Sequence, residues 1–252
     1  MANDKVMVEV INLCKSFDSL VVLDNIYLKV YNAENFVVFG RSGTGKSVLL
    51  KCLVRLMEPD SGEIFIDNVK VNQLKLKELN NLRKQIGFLF QSAALYDSMT
   101  VKENLEFPLR RNFNFSEEEI NQRVAEALES VKLSEAINKM PSELSGGMRK
   151  RIGLARSIIT KPKLMLYDEP TTGLDPITSK EISELILQLQ KDLNMTSIIV
   201  THDLLCARII ADRAIMLKDA KVSYEGSIDE LTSSKDIFLR NFFSNEVLHS
   251  EE

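Results

Sequence analysis

The chain has 252 residues, 44% hydrophobic and 27% charged, which excludes disordered and fibrous classes and is enough apolar material for one large core or two small ones. Lysine and arginine total 32 against 36 aspartates and glutamates, a formal charge of −4 that argues against a dedicated nucleic-acid binder and leaves only a local basic patch open. Cys14, Cys52 and Cys206 lie far apart in no CxxC pair, as expected in a reducing compartment without a zinc site.

No apolar run nears the roughly 18–20 residues of a bilayer span. Met1 to Val10 carries Asp4 and Glu9 where a secretory signal would be basic and then apolar. The expectation is a cytosolic protein, or one held at a membrane only through partners. Of ten glycines, Gly40, Gly43, Gly45, Gly146, Gly147 and Gly173 fall in or beside a few short motifs, a concentration that suggests backbone used for ligand approach.

In chain order, Val6–Leu13 and Ile26–Val30 alternate apolar and polar residues, and Phe36–Phe39 is an all-apolar run suited to a strand covered on both faces. Gly40-Arg41-Ser42-Gly43-Thr44-Gly45-Lys46-Ser47 follows and matches G-x-x-x-x-G-K-[ST] between a strand and a helix. Such glycines let successive N–H groups face a phosphate, and the helix N-terminus adds its partial positive charge. Lys46 would reach the β and γ phosphates of a nucleotide, and the Ser47 hydroxyl would ligate Mg²⁺. A chance match in a chain of this length is roughly a one per cent event at average residue frequencies. Helical spacing then runs from Ser47 to Met57, Pro59 to Gly62 reads as a turn, and Glu63–Ile66 as a further strand.

Between about Ser92 and Thr160 the pattern is mostly helical. Ser116 and Glu119 make a capping box before Ile120, Val124, Ala127, Leu128 and Val131, and Pro141 breaks the stretch before a helix opening near Ser145. Strand-like Leu164–Tyr167, helical Pro176–Leu193, strand-like Ser197–Val200 and helical Asp203–Ala211 then alternate as βαβ units of a parallel sheet do. The fold class is therefore an α/β core interrupted by a helical insertion.

The Leu164 strand ends in Asp168-Glu169, which places two carboxylates at the sheet crevice where open α/β folds bind ligands. Beside a phosphate cradle, Asp168 holds Mg²⁺ through water and Glu169 is the base that polarises an attacking water. Alone, the pair reads equally well as a solvated strand end. His202 follows the next strand and faces the same crevice, either bonded to backbone or donating to a γ-phosphate, and the other histidine, His249, lies in a polar tail. Ser227 and Glu230 form another capping box, after which Ile237, Phe238, Phe242 and Phe243 suit a helix packed on the core.

At Leu144-Ser145-Gly146-Gly147-Met148 the chain resembles the ATP-binding subunits of ABC transporters, whose LSGG signature precedes an Asp-Glu strand. The cradle, a glutamine loop at Gln91, the signature, Asp168-Glu169, the Gly173-Leu174-Asp175 loop and His202 follow in the family's order over nearly the whole chain. The resemblance implies a P-loop NTPase fold of the ABC type, a parallel sheet plus an antiparallel β part. Residues 1–91 and 161–226 form the core, 92–160 a helical subdomain, and 227–252 a C-terminal helix and tail.

It further implies ATP and Mg²⁺, with Lys46, Glu169 and His202 catalytic, Ser47, Gln91 and Asp168 at the metal, and the cradle, Gln91, Ser145, Gly146, Gly147 and Asp175 on nucleotide. Phe17 stands where the family places an aromatic ring on adenine, the alternative being an ordinary core phenylalanine. Ser145 and Gly147 would close on the γ-phosphate held by a partner subunit, so that two ATP molecules are sandwiched in a head-to-tail homodimer. A membrane permease would contact the helical subdomain, on the cytoplasmic face of the inner membrane, and no nucleic acid is involved. Val48 replaces a frequent second hydroxyl and Ala33-Glu34 a usual Gly-Glu turn, neither in a catalytic role. Arg149-Lys150-Arg151 reads as a solvated face of the signature helix.

Met148-Arg149-Lys150-Arg151, the Phe90 to Val101 segment and Phe107-Pro108-Leu109 are similar to the Mla-type ATPases of MCE-associated lipid transport. That similarity implies phospholipid movement between membranes with a permease and an MCE lipid-binding protein, and leaves open a small regulatory subunit on the helical insertion. The alternative is an importer ATPase for amino acids or metals. A chromosome or ribosome ATPase would need coiled-coil arms or two nucleotide units, and the sequence has neither.

Overall fold

Alternating residues at the N-terminus make a long hairpin. In the computed structural model, which describes residues 5–249, β1 (Val6–Phe17) and β2 (Leu20–Tyr31) pair antiparallel, burying Val8, Val10, Leu23 and Ile26 on one face. Residues 1–4 and 250–252, which include Asp4 and the end of the expected tail, lie outside the described residues. β3 (Asn35–Phe39) is buried along its whole length and leads into α1 (Lys46–Leu53), after which β4 (Ser61–Ile66) returns to β1 and is extended by β5 (Val69–Lys70). Among the described residues these strands form one antiparallel sheet in the order β2-β1-β4-β5.

α1 ends earlier than its apolar spacing suggests. Arg55 turns to a φ of +50°, and its guanidinium donates to the Val71 and Leu74 carbonyls at 3.2 and 2.8 Å. The expected turn at Pro59 to Gly62 is partly absorbed into β4, because Ser61 pairs with Cys14. α2 (Leu76–Arg83) and β6 (Ile86–Leu89) come next, too short for periodicity to announce.

The insertion contains α3 (Val101–Asn112), α4 (Glu117–Ser130) and α5 (Gly146–Ile158). Ser116 caps α4 in the expected box, its hydroxyl accepting from Glu119 N at 3.2 Å, and Ser145 caps α5 by accepting from Met148 N at 3.2 Å. β7 (Leu164–Asp168), α6 (Pro176–Leu193), β8 (Thr196–Thr201), α7 (Leu204–Ile210), β9 (Arg213–Lys218) and β10 (Lys221–Gly226) then complete the second sheet, ordered β10-β9-β3-β8-β7-β6. All its pairings are parallel except β10 with β9.

β3 shows how two cores share this sheet. Val37 and Phe39 face the helices of the insertion and α6, while Phe36 and Val38 face α1 and the antiparallel sheet. Each such fully buried side chain contributes about 1.5–3 kcal/mol relative to exposure. α8 (Ile228–Thr232) carries the expected Ser227–Glu230 box, and α9 (Ile237–His249) follows. The Phe242 and Phe243 rings meet Phe39 edge-on at 6.2 and 5.3 Å, as expected for core packing, whereas Ile237 stays exposed. No helix among the described residues is long and apolar enough to cross a membrane.

Candidate functional site

The loop between β3 and α1 opens a cleft of about 360 Å³ lined by Val22, Ser42, Gly43, Gly45, Lys46, Ser47, Val48, Gln91, Glu169, Thr172 and His202. Gly45 caps α1 at a φ of +94°, and a Cβ there would lie 2.8 Å from the Val22 carbonyl, so neither the conformation nor the space admits a side chain. Lys46, only 6% exposed, donates from Nζ to the Gly40 and Arg41 carbonyls at 2.6 and 3.3 Å. Thr44 Oγ1 donates to the Arg41 carbonyl at 2.9 Å, and the Arg41 guanidinium lies 5.5 Å from the Phe238 ring.

The strand-end carboxylates reach this loop from β7. Ser47 Oγ donates to Asp168 Oδ1 at 2.6 Å. Glu169 Oε1 lies 3.1 Å from Lys46 Nζ, and its Oε2 lies 2.8 Å from His202 Nδ1. Burial pushes the Glu169 carboxyl up, but the His202 hydrogen bond and the Lys46 charge outweigh it and hold the group below the usual carboxylate value. An ionised carboxylate set between an ammonium and an imidazole can accept a proton from a water in the cleft. The hydroxyl and carboxylate oxygens of Ser47 and Asp168 form a hard donor set of the kind Mg²⁺ takes.

A carboxyl whose folded pKa lies below its unfolded one adds stability that is present above the unfolded value and lost as pH falls through the folded one. On acidification through the ordinary value of 4.5, the wild type should lose unfolding free energy more steeply than Glu169→Gln in denaturant titrations. Equal slopes for the two proteins would deny the pairing.

The remaining expected residues lie outside the cleft. Phe17, 41% exposed at the β1–β2 hairpin, is not a core residue. Lys15 Nζ lies 5.5 Å from its ring, and the same hairpin supplies Val22 to the cleft. Ser145 is exposed at the start of α5, and Gly147 packs closely enough that a Cβ would meet Thr178 Cγ2 at 2.7 Å. Asp175 caps α6, accepting from Thr178 N and Oγ1 at 3.0 and 2.6 Å.

Residues 23–172 match the family model described as ABC transporter. The chain belongs to the ABC transporter family. The intermembrane phospholipid transport system ATP-binding protein MlaF of Haemophilus influenzae is 40% identical over 95% of this chain and 91% of its own. The methionine import ATP-binding protein MetN of Carboxydothermus hydrogenoformans is 38% identical over 91% of this chain and 68% of its own. A solved dimeric ATP-binding cassette in a post-hydrolysis state bound to ADP and Pi is 35% identical, with a TM-score of 0.80 over 88% of this chain and 99% of that one. This ABC transporter chain is an ATP-binding subunit with ATPase activity, and its resemblance to the Mla-type group is borne out.

One reading of the signature helix needs correction. Arg149 is exposed and Arg151 pairs with Glu181 at 2.7 Å, but Lys150 is only 5% exposed. Its Nζ donates to the Gln91 and Glu169 carbonyls at 2.5 and 3.1 Å. Three consecutive cations look solvated in a sequence, yet helical geometry turns the middle one inward with Leu154, four residues on.

Proposed function

We propose that this ATPase powers phospholipid transport between membranes. The observation that carries hydrolysis is the buried Glu169 carboxylate held between Lys46 and His202 at the mouth of the glycine-rich loop. In this reading the loop N–H groups, Lys46 and Ser47 bind the phosphates of ATP, Glu169 takes a proton from the attacking water, and His202 donates to the γ-phosphate. Ser47, Asp168 and Gln91 would hold Mg²⁺, which supplies charge neutralisation on the phosphates.

Phe17 offers a face to adenine, at the exposed hairpin beside the cleft. Ser145, Gly146, Gly147 and Asp175 act on the nucleotide of a second copy, a homodimer with two ATP molecules in its interface. Their position outside the chain's own cleft supports that assignment. Residues 1–91 and 161–226 work as the nucleotide-binding core, 92–160 as the helical subdomain that receives a membrane permease, and 227–252 as a C-terminal appendage. The chain then sits at the cytoplasmic face of the inner membrane through the permease, with an MCE lipid-binding protein in the same complex.

The similarity to MlaF supports the lipid substrate. A second reading, a small-solute importer ATPase, is favoured by the similarity to MetN. Copurification of the tagged chain from its native membrane separates them. A permease with an MCE protein is expected, and a solute-binding import complex without one would overturn the lipid reading.

A further inference from the structure

We propose that Lys150 is a positioning residue, whose ammonium, bridging the Gln91 and Glu169 carbonyls, aims the Glu169 carboxylate and ties that aim to the signature helix. The inference rests on the reading of Glu169 as the base, which it deepens.

Glu169 has a φ of +50°, a backbone conformation that side-chain-bearing residues avoid and that persists only where the surroundings over-determine it. Hydrogen bonds on both peptide groups do so. Its N–H donates to the Val200 carbonyl at 2.9 Å, and its own carbonyl accepts from Lys150 Nζ at 3.1 Å and more weakly from Thr172 N at 3.4 Å, while Thr172 Oγ1 donates to Oε2 at 3.2 Å. With the peptide groups on both sides pinned, the side chain projects toward Lys46 and His202 rather than along the strand.

The second carbonyl on Lys150 belongs to Gln91, where the chain leaves β6 for the insertion, at 2.5 Å. Six residues further along α5, Arg156 donates to the Ala93 and Ala94 carbonyls at 3.0 and 2.8 Å, and both alanines have positive φ, 61° and 47°. α5 therefore grips the segment after Gln91 at two points and Glu169 at one. Desolvating an ammonium for two neutral carbonyls is unfavourable. Burial lowers the Lys150 pKa, and the charges of Glu169 and Asp168 offset this only in part. A lysine kept there at that penalty does more than fill space, since a methionine of similar length would fill it without the penalty. Any displacement of α5 is felt at the backbone of Glu169.

The test compares Lys150→Met and Lys150→Gln in the full chain, following phosphate release from Mg²⁺-ATP and thermal unfolding. Misaiming a general base predicts a fall in kcat of about tenfold to a hundredfold for Lys150→Met, with KM for ATP within about threefold of wild type. Lys150→Gln, which restores a neutral donor, should recover part of the loss. In a Glu169→Gln background, Lys150→Met should add less than about a twofold loss, because the two act as a unit. Wild-type kcat in folded Lys150→Met, equal loss in both variants, a fully additive loss in the Glu169→Gln background, or failure of both variants to fold would each overturn the proposal. If Glu169→Gln retains turnover, the base assignment falls and takes this inference with it. If Glu169→Gln abolishes turnover and Lys150→Met does not, only the inference falls.

Discussion

Replacing Glu169 by Gln should lower ATP turnover by about two to four orders of magnitude, the usual worth of a positioned general base. The amide keeps the size of the side chain and its place beside Lys46 and His202 but cannot take a proton from water. The cradle N–H groups, Lys46 and Ser47 are untouched, so ATP affinity should hold. Nucleotide bound without hydrolysis should then accumulate as the closed dimer, since a ligand shifts an equilibrium toward whichever state it binds better. Phosphate release, with light scattering at increasing ATP, reads both consequences. Substantial turnover in the variant would remove Glu169 from the base role.

Replacing Lys46 by Met should weaken ATP binding by about tenfold to a hundredfold, the equivalent of the ~1.5–3 kcal/mol carried by a hydrogen bond to a charged group. A second effect acts on the loop itself. Lys46 draws the Gly40 and Arg41 carbonyls inward at 2.6 and 3.3 Å, so its loss takes the ammonium from the Gly40 carbonyl, leaves the Arg41 carbonyl to Thr44 alone, and loosens the curve that presents the N–H groups. Glu169 would also lose one of the charges that hold its carboxyl down, so the variant should impair both binding and proton transfer. Equilibrium titration with a fluorescent ATP analogue measures the first effect. An affinity within about twofold of wild type, well inside the range above, would take Lys46 off the phosphates.

The parts of the site visible in the sequence are those written in consecutive residues. A glycine-rich turn needs its glycines side by side, and an apolar strand ending in Asp168-Glu169 states both its burial and its chemistry within six letters. The α/β alternation and the capping boxes at Ser116 and Ser227 are legible for the same reason: each reports a local hydrogen bond or a local period. Strand order is different in kind. That β3 lies between β8 and β9 depends on long-range pairing, of which Phe36 to Phe39 carry no record beyond their burial. α2 and β6 are too short for a period to develop, and Lys150 was hidden by its neighbours, because a charge run hides which of its members the helix turns inward.

β7 and β8 run side by side with Tyr167 opposite Ile199 and Asp168 opposite Val200, and the Glu169 N–H closes the pairing on the Val200 carbonyl. Glu169 and His202 meet because two strands of different segments stop at matching heights. Because side chains alternate faces every residue, one residue inserted into β8 would exchange the side chains it gives to the two cores it separates and carry the histidine out of step with the carboxylate. Every short motif would still be spelled correctly. The enzyme's grammar lies in the spacing between distant words, which short strings of letters do not record.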